Sequence, residues 1–298
     1  MSNRDGVTLI EAIVVIVIIM IGSFVLLMTL PQGREQARLL GCRKNLGQIG
    51  VALALYDQSH QQTPTVLAVA GPDLPAAIKR PSPLFALLET LDVPDLTGLH
   101  DRQSTPPARA DHRPAEVPVP GFVCASDPNA TLGIFAAPIS YRSTTGDTPA
   151  GENGPFATGR SFRLQQIDDI DGLSFTAAFS ERLVGDGFTD HPSIANYQVV
   201  AGPLSGSGCR AENAGARWRG DAGASWMWAD LRYTLYNHSL PPGAQPSCVA
   251  GDGQTAFMGA SSGHPRGVNL LLMDGSVTLV TREIDLRVWQ QFATIKHK

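Results

Sequence analysis

The chain has 298 residues, 43% of them hydrophobic and 17% charged, with a formal net charge of -4. That length is enough to bury a real core, and the charge provides no basic field for a phosphate backbone, so disorder and nucleic-acid binding are both disfavoured. Gly 30 and Pro 22 exceed what a helical bundle tolerates, so strands, turns and long loops are expected over most of the chain.

The first element is a helix. From Ala12 to Leu30 there are nineteen residues without a charge, and at about 1.5 Å rise each they span close to the ~30 Å hydrocarbon core of a bilayer. Their Ile and Val content favours strands in water, but in lipid only a helix satisfies its backbone groups within one segment. After Pro31, which is positioned to bend the junction, Leu39, Cys42, Leu46, Ile49, Leu53 and Tyr56 recur in steps of three and four. That spacing is one face of an amphipathic helix.

From Thr63 onward Pro and Gly punctuate the chain, and Ser104–Pro120 reads as an exposed linker. Gly121–Cys124 and Phe175–Phe179 have the length and aromatic content of short strands. Val268–Met273 and Ser276–Val280 are β-rich runs joined by Asp274-Gly275, a dipeptide that favours a tight hairpin with Gly275 at positive φ. Leu286, Trp289 and Phe292 give Leu286–Thr294 helical spacing.

Two stretches of this order resemble known families. Gly6-Val7-Thr8-Leu9-Ile10-Glu11 resembles the type IV prepilin cleavage and methylation motif, in which a polar leader ends in Gly and a Glu sits five residues into the mature chain. The resemblance implies cleavage between Gly6 and Val7 by a prepilin peptidase and N-methylation of Val7. It also implies a role for Glu11 in assembly, where the N-terminal amine of a neighbouring subunit neutralises it. The family's usual first mature residue is Phe, so Val7 departs from the pattern. Unlike a secretory signal, the leader is cut before the apolar segment, which stays on the mature protein.

His264 is separated from Asp274-Gly275 by nine residues. This resembles a large bacterial family of unknown function that joins a prepilin-type N-terminus to a C-terminal H-X9-DG signature. Cys42–Gly50, Cys124-Ala125-Ser126-Asp127, Asp171–Thr176, Glu181-Arg182 and Tyr236-Asn237-His238 also match it. The family is pseudopilin-like, similar to general secretion pathway protein G, and its globular part also carries a solute-binding label.

These resemblances imply an α+β, pilin-like fold, with a long N-terminal helix packed on a mainly antiparallel sheet domain. The expected divisions are a leader at 1–6, a transmembrane helix at 7–30, its amphipathic extension at 31–60 and an extracytoplasmic β-rich domain at 61–298. The expected function is that of a structural subunit in a type IV pilus-like or type II secretion pseudopilus-like assembly. Its partners would be prepilin peptidase, other pilin or pseudopilin subunits and inner-membrane lipid. The alternative is a membrane-anchored extracytoplasmic ligand-binding protein. Arg34, Arg38, Arg43 and Lys44 follow the apolar span, whereas the leader has only Arg4, so charge bias alone would keep the C-terminal part in the cytoplasm. The prepilin leader and the cysteines outweigh it, which places the chain as a single-pass protein of the inner membrane with its domain in the periplasm or on the cell surface.

Cys42, Cys124, Cys209 and Cys248 lack the short spacings of zinc sites. Disulfides are expected, and of three connectivities Cys42–Cys124 and Cys209–Cys248 are favoured, the first tying helix to sheet. The second would close a loop holding Trp218, Trp226 and Trp228 as a small core beside Arg217 and Arg219. No catalytic residue, metal or cofactor is expected. Asp168, Asp169 and Asp171 read as a solvated acidic loop rather than a calcium site. Ser261 or Ser262 beside His264 lacks a nucleophile elbow, and His264 is expected to hydrogen-bond loop backbone and steady the hairpin.

Overall fold

The computed structural model describes residues 9–66, 81–91, 93, 117–201, 204, 209, 217–244 and 246–296, with the backbone course alone for 24–32. The leader, Gly6 and Val7 lie outside the described residues, as does the expected linker up to residue 116.

Helix α1 runs from Leu9 to His60 without a break at Pro31. Its second half docks on the domain. Cys42, Leu46, Ile49, Ala52 and Leu53 are buried, while Leu39 and Tyr56, at the ends of the predicted stripe, are half-buried. Its start is different: among the described residues Leu9, Ile10 and the large residues from Ile13 to Ile21 are exposed. Among the described residues no helix is long and apolar enough to cross a membrane.

The domain is α+β with two sheets. Strands β1 (Tyr141–Thr144), β2 (Ala177–Glu181), β5 (Leu235–Tyr236), β8 (Gly267–Leu272) and β9 (Val277–Thr281) form one sheet, ordered β5-β1-β2-β8-β9. Only β5 and β1 are parallel in it. Strands β3 (Tyr197–Val200), β4 (Arg217–Arg219), β6 (Ser247–Ala250) and β7 (Ala256–Phe257) form the other, ordered β4-β3-β6-β7 with β3 and β6 parallel. Strand β8 is buried along its whole length, because α1 lies across the sheet above it.

The predicted hairpin is present, with Leu271 opposite Val277. Its loop is wider than a dipeptide: Gly275 N–H donates to Leu272 C=O at 3.0 Å and Leu272 N–H to Ser276 C=O at 2.9 Å. Met273, Asp274 and Gly275 therefore form the turn, with Gly275 at φ 85°, the three-residue pattern that places a glycine at the left-handed position. Gly121–Cys124 is not a strand; Pro120–Phe122 is a 3-10 turn, as expected of a Pro fixed at the first helical position. Phe175 also falls outside β2, in a 3-10 turn at Leu173–Phe175 that leaves it exposed.

Short helices close the domain: α2 (Pro83–Leu87), α3 (Leu164–Ile170) and α4 (Leu286–Gln291). The Asp285 side chain caps α4 by accepting from the N–H groups of Arg287 and Val288. Trp289 is buried and stacks on His238, with ring centroids 3.6 Å apart. His238 Nδ1 donates to the Trp289 carbonyl at 2.6 Å, and Nε2 accepts from the Tyr236 hydroxyl at 2.8 Å. Burial holds its pKa down to about 3, only partly opposed by the Trp289 carbonyl.

This packing can be tested at two positions. A Cβ at Gly50 would lie 2.9 Å from Leu271 Cδ1 and 3.1 Å from Gly275 Cα, whereas one at Gly47 meets nothing. In thermal unfolding of the full chain, Gly50→Val should cost about 1–3 kcal/mol, and Gly47→Ala should stabilise by up to ~1 kcal/mol; matching shifts would refute the docked geometry. His238 binds a proton in the unfolded chain below pH 6.5 but in the fold only near 3. Stability is therefore complete above pH 6.5 and falls toward pH 3, by up to about 1.4 kcal/mol per pH unit from this group. Chemical unfolding between pH 6.5 and 5 should show that slope, and His238→Gln should lose it.

Candidate functional site

Under the docked half of α1 lies a cluster of polar and sulfur groups drawn from five separate parts of the chain. One helix face supplies Glu35, Cys42 and Asn45, since positions seven and ten apart return to the same side. The turn after Phe122 supplies Cys124 and Ser126, β2 ends in Glu181, and the loop entering β8 supplies His264. Asn269 comes from β8 itself.

The sulfurs of Cys42 and Cys124 are bonded, with Cα atoms 5.1 Å apart. Cys209 and Cys248 form the second disulfide, so both favoured pairings are present. Asn45 Nδ2 donates to the Val123 carbonyl at 3.1 Å, and the Tyr141 hydroxyl donates to the Cys42 carbonyl at 3.4 Å. These bonds brace the disulfide from either side.

His264 does not serve loop backbone with its ring. Its Nδ1 lies 2.5 Å from Glu35 Oε1, and its Nε2 lies 3.4 Å from Glu181 Oε1 and 3.5 Å from Cys124 Sγ. Two carboxylates offer only acceptors, so both ring nitrogens are drawn toward the protonated form. Burial opposes the charge, but the hydrogen bonds and charges of Glu181 and Glu35 outweigh it and raise the His264 pKa. Glu181 is gripped in turn by Asn269, whose backbone N–H donates to Oε2 at 2.8 Å and whose Nδ2 donates to Oε1 at 2.9 Å. Arg43 Nε reaches Asn269 Oδ1 at 3.2 Å, and the Ser126 hydroxyl donates to Glu35 at 3.0 Å.

Beneath this cluster sits Asp127, almost fully buried. It accepts from Ser140 Oγ and Val184 N at 2.9 Å, and from the N–H groups of Asn129 and Ala130 at 3.2 and 3.3 Å. Burial pushes its pKa up, and those donors pull it back. Arg142 and Arg182 are buried nearby, and burial lowers both of their pKa values while the charge of Asp127 supports them.

His264 and Asp274 are not brought together. They lie beyond opposite ends of the six-residue β8, which at about 3.4 Å per residue spans ~20 Å. Asp274 is committed to the turn, accepting from Ser276 N and Oγ and from Ser174 Oγ. Ser262 Oγ accepts from His264 N–H, and Ser261 Oγ accepts from Leu183 N–H; neither hydroxyl is bonded to the imidazole. Asp168 and Asp169 belong to α3 rather than to a loop, with Asp171 at its C-cap, because the Leu164 and Ile167 side of that turn packs inward. The tryptophans do not form a separate disulfide-loop core. Trp226 is buried in the main core against Phe85 and Phe122, and Trp218 lies on β4 between the exposed Arg217 and Arg219.

The partners of His264 were the part that sequence reasoning missed. Glu35 precedes Cys42 by seven residues, which places it on the stripe face, and that spacing was the available signal. Residues 31–287 match the family described as a protein of unknown function, DUF1559. The chain belongs to the DUF1559 family. Residues 1–27 match the prokaryotic N-terminal methylation motif, which marks this DUF1559 protein as a prepilin-peptidase substrate of the type IV pilin and pseudopilin kind. No curated protein and no solved structure matches the chain.

The buried carboxylate gives a direct test. Asp127→Ala would take from the buried Arg142 and Arg182 one of the charges that support them and strand four donors, so unfolding free energy should fall by roughly 3–5 kcal/mol. A change below ~1 kcal/mol in chemical denaturation would show that the cluster does not anchor the fold.

Proposed function

We propose that this protein is a structural subunit that a prepilin peptidase cuts between Gly6 and Val7 and methylates at Val7. The subunit then assembles through α1 into a pilus-like or pseudopilus-like filament. The observation that carries the reading is the methylation motif at residues 1–27 continuing directly into the exposed half of α1. Leu9, Ile10, Ile13, Val14, Ile16 and Ile21 are each at least half exposed, and large apolar residues are exposed around this part of the helix. A helix apolar all round needs an apolar environment. Lipid provides it before assembly and the α1 helices of sister subunits provide it afterwards, with the globular domain held outside the cytoplasmic membrane.

Glu11 is the one acid within the apolar half. In lipid its charge costs several kcal/mol unless paired, and the amine of a neighbouring subunit's Val7 is the cation delivered at the same depth when helices bundle. Glu11 thereby sets the register between subunits.

The test is Glu11→Ala expressed beside the wild type. The variant should still be cleaved, while its recovery in sheared filaments or crosslinked oligomers drops by roughly an order of magnitude, as expected for a lost charge pair in an apolar setting. Wild-type incorporation by the variant would overturn the assembly role.

A further inference from the structure

Four of the buried side chains under α1 carry donor atoms suited to one metal ion. The sulfurs of Cys42 and Cys124, a carboxylate oxygen of Glu181 and a ring nitrogen of His264 all lie within 4.8 Å of one another, and all four residues are buried. A tetrahedral zinc ion takes sulfur at ~2.3 Å and nitrogen or oxygen at ~2.0–2.2 Å, which puts neighbouring donors about 3.3–3.8 Å apart. Two edges of that tetrahedron are already set: His264 Nε2 lies 3.5 Å from Cys124 Sγ and 3.4 Å from Glu181 Oε1. The edge between the sulfurs is shorter because they are joined, and the other three are no longer than 4.8 Å, within a small adjustment of the tetrahedral spacing.

The surroundings match those of a metal site as well. A metal-bound imidazole commonly donates its second N–H to a carboxylate, which fixes the ring and its tautomer. Glu35 Oε1 holds His264 Nδ1 in that way, leaving Nε2 aimed at the sulfur and at Glu181. Asn269 fixes both oxygens of Glu181, and Arg43 fixes Asn269. The ligand atoms are therefore oriented by groups that are not themselves ligands.

We infer that the Cys42–Cys124 pair has two alternative states: a disulfide when oxidised and, when reduced, the two thiolates that join Glu181 and His264 in a four-ligand site for a zinc-class divalent cation. An external dithiol reduces the disulfide, giving two thiols while the dithiol becomes its own disulfide. The cation then displaces both thiol protons, and any proton on His264 Nε2, as the metal–ligand bonds form. Reoxidation by a small-molecule disulfide reforms the protein's sulfur–sulfur bond as the reagent's own breaks, its two sulfurs taking the two electrons and leaving as thiols after protonation from solvent, and the cation is released. The donor set of two thiolates, an imidazole and one carboxylate selects zinc, or cobalt as its spectroscopic substitute, over magnesium and calcium. This inference does not depend on the filament role.

The test uses the full chain in detergent, with cobalt(II) or zinc(II) added alone after anaerobic phosphine reduction and, in parallel, without reduction. The reduced chain should bind a single equivalent of cobalt with thiolate-to-metal charge-transfer bands and tetrahedral ligand-field bands, and the oxidised chain should show neither. Cys209→Ser/Cys248→Ser should retain the bands, which assigns them to the first pair, and His264→Gln should lose the tetrahedral spectrum. Glu35→Gln, at the partly exposed edge, should keep the spectrum with affinity at least about tenfold weaker. Reduced wild-type chain that stays colourless, or bands of equal strength in Cys42→Ser, would overturn the inference. The comparison of oxidised with reduced wild type needs no substitution, so a variant that fails to fold does not decide it.

Discussion

A single fastening determines how this molecule is built: the point where α1 is tied to the sheet domain by the Cys42–Cys124 bond and by His264 held between Glu35 and Glu181. A 52-residue helix is a long lever, and among the described residues it is the second half that packs against the domain. Apolar burial of Leu46, Ile49, Ala52 and Leu53 supplies a non-directional force. The disulfide and the carboxylate–imidazole–carboxylate chain supply position along and around the helix axis. Chain entropy makes each of the two disulfides worth about 4 kcal/mol for its loop length, a substantial share of the stability of an ordinary domain.

The rest of the architecture follows from that attachment. Strand β8 lies beneath α1 and is buried along its whole length, which is why Val268, Leu270, Leu271 and Leu272 show no apolar–polar alternation and why its one polar side chain, Asn269, is bonded to Glu181. Glu181 and Asn269 sit on adjacent strands, so the sheet itself sets the donor that fixes Glu181 and, through it, the acceptor facing the imidazole. The first half of α1 is left exposed and apolar. In the proposed subunit that half is the assembling element, and the fastening transmits any load from filament to domain.

Much of this could be read from the residues in order. The heptad-like stripe of α1, the β8–β9 hairpin and the closing helix at Leu286 have local periodicity or turn chemistry, and local signals survive without knowledge of the fold. The sequence left three disulfide connectivities open, and the favoured one is present. What was hidden depends on distance along the chain. Glu35 and His264 are 229 residues apart, and no window of sequence contains both. The strand expected at Gly121–Cys124 failed because Pro120 fixes a helical turn and because Cys124 must swing toward α1. The acidic residues at Asp168 and Asp169 were misread as loop because α3 is only two turns long, too short for a period to show. The family signature links His264 with Asp274 in sequence, yet the structure separates their roles: one secures the helix and the other shapes a turn.

Assembly through α1 requires a mature chain that keeps this helix and closes its bridge to the domain. Intact mass spectrometry of protein extracted from membranes, without reduction, tests this most directly. The mass should begin at Val7, carry one added methyl group and be short by two hydrogens for each of two disulfides. A mass beginning at Met1, or one retaining the hydrogens of four free thiols, would contradict it.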